Sequence, residues 1–336
     1  MDKVTASVII PCRNEVNHIE FAIDSILKNT YKDVEIIIVD GLSDDGTREK
    51  LDEIIKKDSR IKVIDNHLQI TPVAFNLGIR NASGDFIFIV GARHILESNY
   101  IETCIMILNN NPKIACVGGK VNNTYENTTS LLISKALSSS FAVGARNFRI
   151  KDKDGYVDTV GTPAYRRAIF DEIGYFDEEL LRNQDDELNY RVIKKGYKIL
   201  FTAQTSIQYF VRANFKHLFK QYFQYGYWKV YVNKKHKTVT TLRQLVPLLF
   251  VLFLFFGPIL SIYHFIFFAF YLMGLLFYGI ASFYSASKQS DNVSQLGKIM
   301  KSFFILHFSY GWGYLKGIID FFILQKSIKK EEMITR

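Results

Sequence analysis

The sequence predicts an α/β fold, a mostly parallel sheet with helices on both faces, followed by transmembrane helices near the C-terminus. Three observations carry that expectation. Apolar, β-branched runs alternate with helical patterns over residues 5–90. A strongly apolar stretch from Gln244 to Ser287 has 44 residues without Asp, Glu, Lys or Arg. Charge is also split along the chain. Residues 1–210 hold 26 Lys and Arg against 29 Asp and Glu, a balance of −3, and residues 211–336 hold 16 against 4, a balance of +12. With 48% hydrophobic residues, the chain is not disordered. Cys12, Cys104 and Cys116 form no disulfide framework and fit a reducing compartment. The N-terminal MDKVTASVIIPCRNE lacks the apolar core and cleavage site of a signal peptide.

The strand and helix patterns follow in order. Residues 7–10 (SVII) form a first strand, with a helix over about 17–28. Residues 34–39 (VEIIIV) form a second strand, followed by a helix near 47–57. A third strand at 61–64 precedes a helix near 72–82, and 86–90 (FIFIV) is the fourth strand. Near-continuous apolar strands separated by helices indicate a parallel sheet buried on both faces. Ligands of such sheets bind beyond the carboxyl ends of the strands. The polar clusters lie there: Pro11-Cys12-Arg13-Asn14-Glu15 after the first strand, Asp40-Gly41-Leu42-Ser43-Asp44-Asp45-Gly46-Thr47 after the second, and Gly91-Ala92-Arg93-His94 after the fourth. Singly, the second cluster is a turn with a helix cap. Together they form a nucleotide site, with Asp40 accepting from a base N–H or ribose hydroxyls and the helix start at Gly46 admitting phosphate. The chain has neither GxxxxGK[ST] nor GxGxxG, so neither a P-loop nor a Rossmann dinucleotide site is indicated.

Further along, Gly161-Thr162-Pro163 reads as a tight turn. Asp185-Asp186 precedes a helix at 187–195, where adjacent carboxylates also have a plain capping explanation. Arg166 and Arg167 are either phosphate contacts or a solvated helix start.

These motifs resemble family 2 glycosyltransferases, which have the GT-A fold, and are most similar to the succinoglycan-type exopolysaccharide enzymes. The resemblance covers about residues 5–235 and rests on SVIIPCRNE, IIIVDGLSDDGT, NLGIRNASGDFIFIV and the Asn183–Arg191 stretch NQDDELNYR. It implies a nucleotide-sugar site at Pro11, Arg13, Glu15, Asp40, Asp45 and Arg93. It also implies a catalytic base at Asp185, with Asp186 in reserve, and sugar contacts at Gly161, Thr162 and Gln184. The family places an Asp after the fourth strand to hold a divalent cation, magnesium or manganese, at the diphosphate. Gly91 stands in its place, and His94 is a poor cage for magnesium. Three arrangements follow: the cation is held by Asp45 or the diphosphate itself, Arg93 supplies the counter-charge, or the enzyme is impaired; the second is the expected one.

Residues 212–243 contain eight Lys and Arg and no acid, and Phe215, Leu218, Phe219, Tyr222 and Phe223 recur at helical spacing. A basic helix with an aromatic face suits the headgroup layer of a membrane. The uncharged stretch is about 66 Å long as a helix, twice the roughly 30 Å of a bilayer core, so it fits two spans near 245–262 and 265–285. A further apolar stretch, 303–324, contains His307, Lys316 and Asp320 and is expected at the interface. Lys234, Lys235, Lys237 and Arg243 precede the spans, and Lys288, Lys298, Lys301, Lys326, Lys329 and Lys330 follow them. The positive-inside rule puts both groups on the cytoplasmic side.

The expected organisation is therefore a cytoplasmic catalytic domain at 1–210, an interfacial region at 211–243, two transmembrane helices in 244–287, and an interfacial or third membrane segment with a basic tail at 288–336. The expected activity is inverting, non-processive transfer of a sugar, UDP-linked by resemblance, to a polyprenyl-diphosphate-linked acceptor at a bacterial cytoplasmic membrane. The alternatives are a polyprenyl-phosphate sugar synthase and an inactive binding subunit of a polysaccharide assembly complex. Nucleic acid is not an expected partner, because the basic stretch abuts charge-free helices.

Overall fold

The computed structural model describes residues 5–144, 151–211, 214–240 and 242–326, and the expected basic positions Lys329 and Lys330 lie outside them. In chain order the elements are β1 (Ala6–Cys12), α1 (Ile19–Leu27), β2 (Val34–Asp40), α2 (Thr47–Ile55), β3 (Ile61–Asp65), α3 (Thr71–Asn81), β4 (Phe86–Ile89), β5 (His94–Leu96), α4 (Tyr100–Asn110) and β6 (Ile114–Thr124). Then come α5 (Thr128–Leu137), α6 (Ser140–Val143), β7 (Gly155–Tyr156), β8 (Ala164–Arg166), α7 (Ala168–Ile173), α8 (Gln184–Lys194) and β9 (Lys198–Phe210). The chain ends in α9 (Phe215–His236), α10 (Leu245–Ser261), α11 (Phe265–Ser287) and α12 (Val293–Ile318). Among the described residues, contacts divide the chain into two compact units, residues 5–123 with 151–210 and residues 124–144 with 211–326.

The first unit is built on one sheet in the order β3-β2-β1-β4-β8-β6-β9-β5, with β7 paired to β9. β1 runs parallel to β2 and β4, and β2 runs parallel to β3. Val8, Ile9, Ile10, Ile36, Ile37, Ile38, Ile87 and Phe88 are fully buried, which is why these strands read as unbroken apolar runs. The rest of the sheet differs from the parallel expectation. β8 runs antiparallel to β4 and β6, and β5 and β7 run antiparallel to β9. Only a short turn separates β4 from β5, whereas a parallel crossover needs a dozen or more residues. β5 therefore pairs at the far edge, against β9.

The second unit is helical. α5 joins it because Leu132 and Ala136 pack with Ala286, Ile299 and Phe303. Residues 124–144 thus interrupt the continuous 1–210 domain expected from sequence. The helix Leu242–Ser261, of 20 residues including a leading 3-10 turn, and α11, of 23 residues, are long and apolar enough to cross a membrane. Their side chains are largely uncovered, Phe265 at 77% and Phe277 at 74% exposure. The 303–324 stretch does not form a helix of its own. It belongs to α12, which starts at Val293, packs along α9 and α10, and ends in a π-helical turn at Ile319–Ile323.

Small residues set a close helix crossing between α9 and α12. A Cβ on Gly313 would overlap the Phe223 carbonyl of α9, and one on Gly226 would overlap the Tyr310 carbonyl of α12. Such backbone-to-backbone approach is possible only without side chains. Beside it, Asn233 donates to the Tyr314 hydroxyl at 2.9 Å, and the Tyr227 hydroxyl donates to Asp320 at 3.1 Å.

Replacing Gly by Ala in a helix normally stabilises by up to about 1 kcal/mol. At Gly313 the sign reverses, because overpacking costs about 1–3 kcal/mol. Gly313→Ala lowers the melting temperature of detergent-solubilised protein. Gly279→Ala leaves it unchanged or raises it, since a Cβ there meets nothing within 4 Å. Equal melting of both variants contradicts the close crossing.

Candidate active site

The parallel register aligns Cys12 with Asp40 and Asp40 with Asp65, so three strand ends share one rim. The loop after β1 is clamped onto the loop after β2 by Asn14. Its side chain donates to Asp44 at 2.8 Å and accepts the Asp44 N–H at 3.0 Å, and its backbone N–H donates to Ser43 Oγ at 2.9 Å. Asn14 and Gly46 adopt left-handed backbone, with φ of 55° and 93°, which Asn and Gly accommodate best.

Asp40 is 1% exposed. Its Oδ1 accepts from the Ser43 hydroxyl at 2.6 Å and from Cys12 Sγ at 3.6 Å, and its Oδ2 faces Arg48 Nη1 at 3.7 Å. Arg48 also pairs with Asp65 at the end of β3 and with Asp52. Asp45 accepts from the Thr47 hydroxyl and N–H and from the Val16 N–H. Partial burial pushes the Asp45 carboxyl up, but these hydrogen bonds outweigh it and bring its pKa below the usual value.

Glu15 is nearly buried. Its N–H donates to Thr47 Oγ1 at 2.9 Å, and its carboxylate holds Arg93 Nε at 2.8 Å with His18 Nδ1 at 3.5 Å. Arg93 is therefore engaged in a formally neutral pair, and the loops after β1 and β4 are tied together. Gly91 lies under the His94 imidazole, whose Nδ1 accepts the Gly91 N–H at 3.3 Å and meets Thr162 Oγ1 at 2.9 Å. The Thr162 carbonyl accepts from the buried Tyr100 hydroxyl, which accepts the Gly119 N–H at 3.0 Å.

The NQDDELNYR stretch divides into two roles. Glu187 is 2% exposed and grips Arg191 through two contacts of 2.9 and 2.8 Å, and Arg191 donates on to the Ile173, Gly174 and Tyr175 carbonyls. Asn189 accepts from the Tyr165 hydroxyl at 3.0 Å and donates to Thr159. These buried contacts anchor α8. Asp185 is exposed and Asp186 half-buried in the first turn of that helix. Burial raises the Tyr165 hydroxyl pKa. The Gln184 side-chain oxygen is buried without a hydrogen-bond partner.

The structure thus gathers Glu15, Asp40, Asp45, Arg93, His94 and Thr162 at linked loops. Arg13 packs beside Gly41, and Gly161 adjoins Thr162. Pro11 sits within β1, opposite Val39. Arg166 and Arg167 line a cleft of about 460 Å³ with Asp85 and Asp171 at the start of β4, the opposite end of that strand from the rim. Asn14, Ser43, Thr47, Arg48 and Tyr100 had no individual role assigned from sequence. The first four lie in or beside the quoted motifs, but no local pattern connects Tyr100 to Thr162.

The residues present do not fit a protein-held divalent cation. Gly91 offers no carboxylate, His94 Nδ1 is occupied, and among the described residues no three His, Cys, Asp or Glu side chains gather as a ligand set.

The chain matches the family model for Glycosyl transferase family 2 over residues 7–174. It is 29% identical over 256 residues to the succinoglycan biosynthesis protein ExoA of Rhizobium meliloti, covering 74% of this chain and 76% of that protein. It is 33% identical over 229 residues to the dolichyl N-acetyl-alpha-D-glucosaminyl phosphate 3-beta-D-2,3-diacetamido-2,3-dideoxy-beta-D-glucuronosyltransferase of Methanococcus voltae, covering 66% and 71%. In fold it is similar to the mannosyltransferase PcManGT from Pyrobaculum calidifontis, solved with GDP-Man and Mn2+, at a TM-score of 0.52 and 16% identity, covering 69% of this chain and 63% of that one. On the sequence matches the chain belongs to glycosyl transferase family 2, and it is a glycosyltransferase.

Proposed function

We propose that the chain is an inverting, non-processive enzyme that moves a sugar from a nucleotide-diphosphate sugar, UDP-linked, to a polyprenyl-diphosphate-linked saccharide during exopolysaccharide or capsule synthesis. The observation that carries this reading is the division of acids. Asp40 and Glu15 are buried and hydrogen-bonded at the rim, whereas Asp185 is exposed on a helix anchored by Glu187 and Arg191. An exposed carboxylate on a rigid support can take a proton from an acceptor hydroxyl. As that oxygen attacks the anomeric carbon, the bond to the diphosphate breaks and its electron pair leaves on the diphosphate oxygen. One displacement inverts the anomeric centre. The named activity of the archaeal relative, transfer onto a dolichyl-phosphate-linked sugar, supports a lipid-linked acceptor here. ExoA, named for succinoglycan biosynthesis, supports polysaccharide assembly.

The two apolar helices support residence in the cytoplasmic membrane. Lys234, Lys235, Lys237 and Arg243 precede the first, and Lys288, Lys298 and Lys301 follow the second, which under the positive-inside rule supports a cytoplasmic sugar-transfer domain.

Asp185→Asn lowers kcat by about 10²–10⁴ with little change in donor KM, and Asp186→Asn retains most activity. The check is transfer of labelled sugar to lipid extract by membranes carrying each variant. Full activity of Asp185→Asn instead indicates a lipid phosphate acceptor, which needs no deprotonation.

Topology has its own check. Tyr263→Cys, at the exposed turn between α10 and α11, reacts with a membrane-impermeant thiol reagent added outside spheroplasts. The native cysteines are buried and silent. Labelling only after permeabilisation contradicts the orientation.

A further inference from the structure

At the end of α11 the helical unit holds a cleft of about 290 Å³. The junction of α5 with α6 forms one side, and residues 284–289 form the other. Lys288 is its one charged lining residue. The ammonium lies over the Tyr284 ring, 4.2 Å from the centroid, and has no carboxylate partner among the described residues. Asp291, the nearest acid along the chain, is taken by Lys135. The rest of the lining supplies donors. Ser139 is 5% exposed, and its oxygen accepts the Phe141 N–H at 3.3 Å, which leaves its hydroxyl proton to give. The Ser140 and Ser285 hydroxyls and the Gln289 carboxamide have no hydrogen-bond partner among the described residues. One cation, several uncommitted donors and no acid are the chemistry of an anion site, and a phosphate accepts from both kinds of group.

The level of the cleft in a membrane follows from α11, which is long and apolar enough to cross one. Met273, Phe277, Ile280 and Tyr284 recur at three- and four-residue spacing and are all exposed, so they form one uncovered stripe, and Lys288 continues it. The end of such a helix lies where hydrocarbon gives way to headgroups, the level at which tyrosine rings and lysine ammoniums gather. A molecule with its phosphate in the cleft lays an apolar chain along the stripe. A single positive charge matches a single diester phosphate. A polyprenyl diphosphate carries more negative charge, and the cleft has no second cation to meet it.

We propose that this cleft binds the phosphate headgroup of an anionic phospholipid of the surrounding bilayer. Lys288 is the counter-charge, Ser139, Ser140 and Ser285 donate to the phosphate, and an acyl chain lies against Phe277 and Ile280. The site depends on α11 as a membrane helix and is independent of the nucleotide-sugar reading.

Native mass spectrometry of the full chain in detergent tests it, with phosphatidylglycerol, phosphatidylcholine, a polyprenyl phosphate or inorganic phosphate added in turn. Wild type holds one phosphatidylglycerol at least about tenfold more tightly than phosphatidylcholine. Lys288→Ala and Ser140→Ala/Ser285→Ala each weaken that binding about tenfold, and Lys288→Arg keeps it. Lys298→Ala, which removes an exposed charge outside the cleft, changes it by less than about twofold. Melting of the lipid-free variants separates loss of fold from loss of binding, and the wild-type ranking of ligands needs no variant. Equal retention of the two phospholipids by wild type overturns the inference, as does a folded Lys288→Ala that binds phosphatidylglycerol unchanged. An equal loss in Lys288→Ala and Lys298→Ala overturns it in favour of diffuse charge attraction. Tighter retention of the polyprenyl phosphate overturns it in favour of a carrier site, and displacement of the lipid by equimolar inorganic phosphate overturns it in favour of a free-anion site. Each of these results leaves the sugar-transfer reading standing.

Discussion

The parallel pairing of β1 with β2 on one side and β4 on the other is the constraint on which the candidate site depends. It aligns Cys12, Asp40 and Asp65 across the sheet and delivers the loop after β4 to the same rim. The polar links then follow: Asn14 joins the first two loops, Glu15 and Arg93 join the first and third, and Thr162 joins the third to β8 through His94. A nucleotide sugar bound here, as proposed, would meet a network already organised, with little ordering left for the moment of reaction.

The helical unit obeys a different balance. Its two apolar helices bury little of their own surface and suit a hydrocarbon surrounding, while α12 packs on α9 through glycine and a few polar contacts. In such packing close approach replaces hydrophobic burial as the source of attraction. The His307 ring shows how polar groups are satisfied inside this unit. Its Nε2 donates to the Phe141 carbonyl at 2.9 Å, and its Nδ1 lies 3.0 Å from the Tyr278 hydroxyl. This links α6, α11 and α12.

The first four strands were legible because residues buried on both faces leave continuous β-branched runs, and the polar clusters at their ends are local in sequence. The two apolar helices were legible for the same reason, a long uniform stretch with an abrupt edge. The antiparallel half was not, since β5 has three residues and β7 two, and their partners in β9 lie far along the chain, Tyr209 opposite His94 and Phe201 opposite Gly155, with no local mark. The placement of α5 with the helices depends on contacts between Leu132 and Phe303, far apart in sequence. Within NQDDELNYR the sequence shows three acids in a row. Only burial separates Glu187, held by Arg191, from the exposed Asp185. The pairing of Arg93 with Glu15, 78 residues away, has no local mark in the sequence.

The central claim is that one exposed carboxylate drives a single displacement at the anomeric carbon. Proton NMR of the first product formed from a donor of known anomeric configuration tests it most directly. The account predicts a product of opposite anomeric configuration from the first turnover. A product that keeps the configuration of the donor would contradict it, because retention requires either a second nucleophile or front-face attack, and the assigned roles provide for neither.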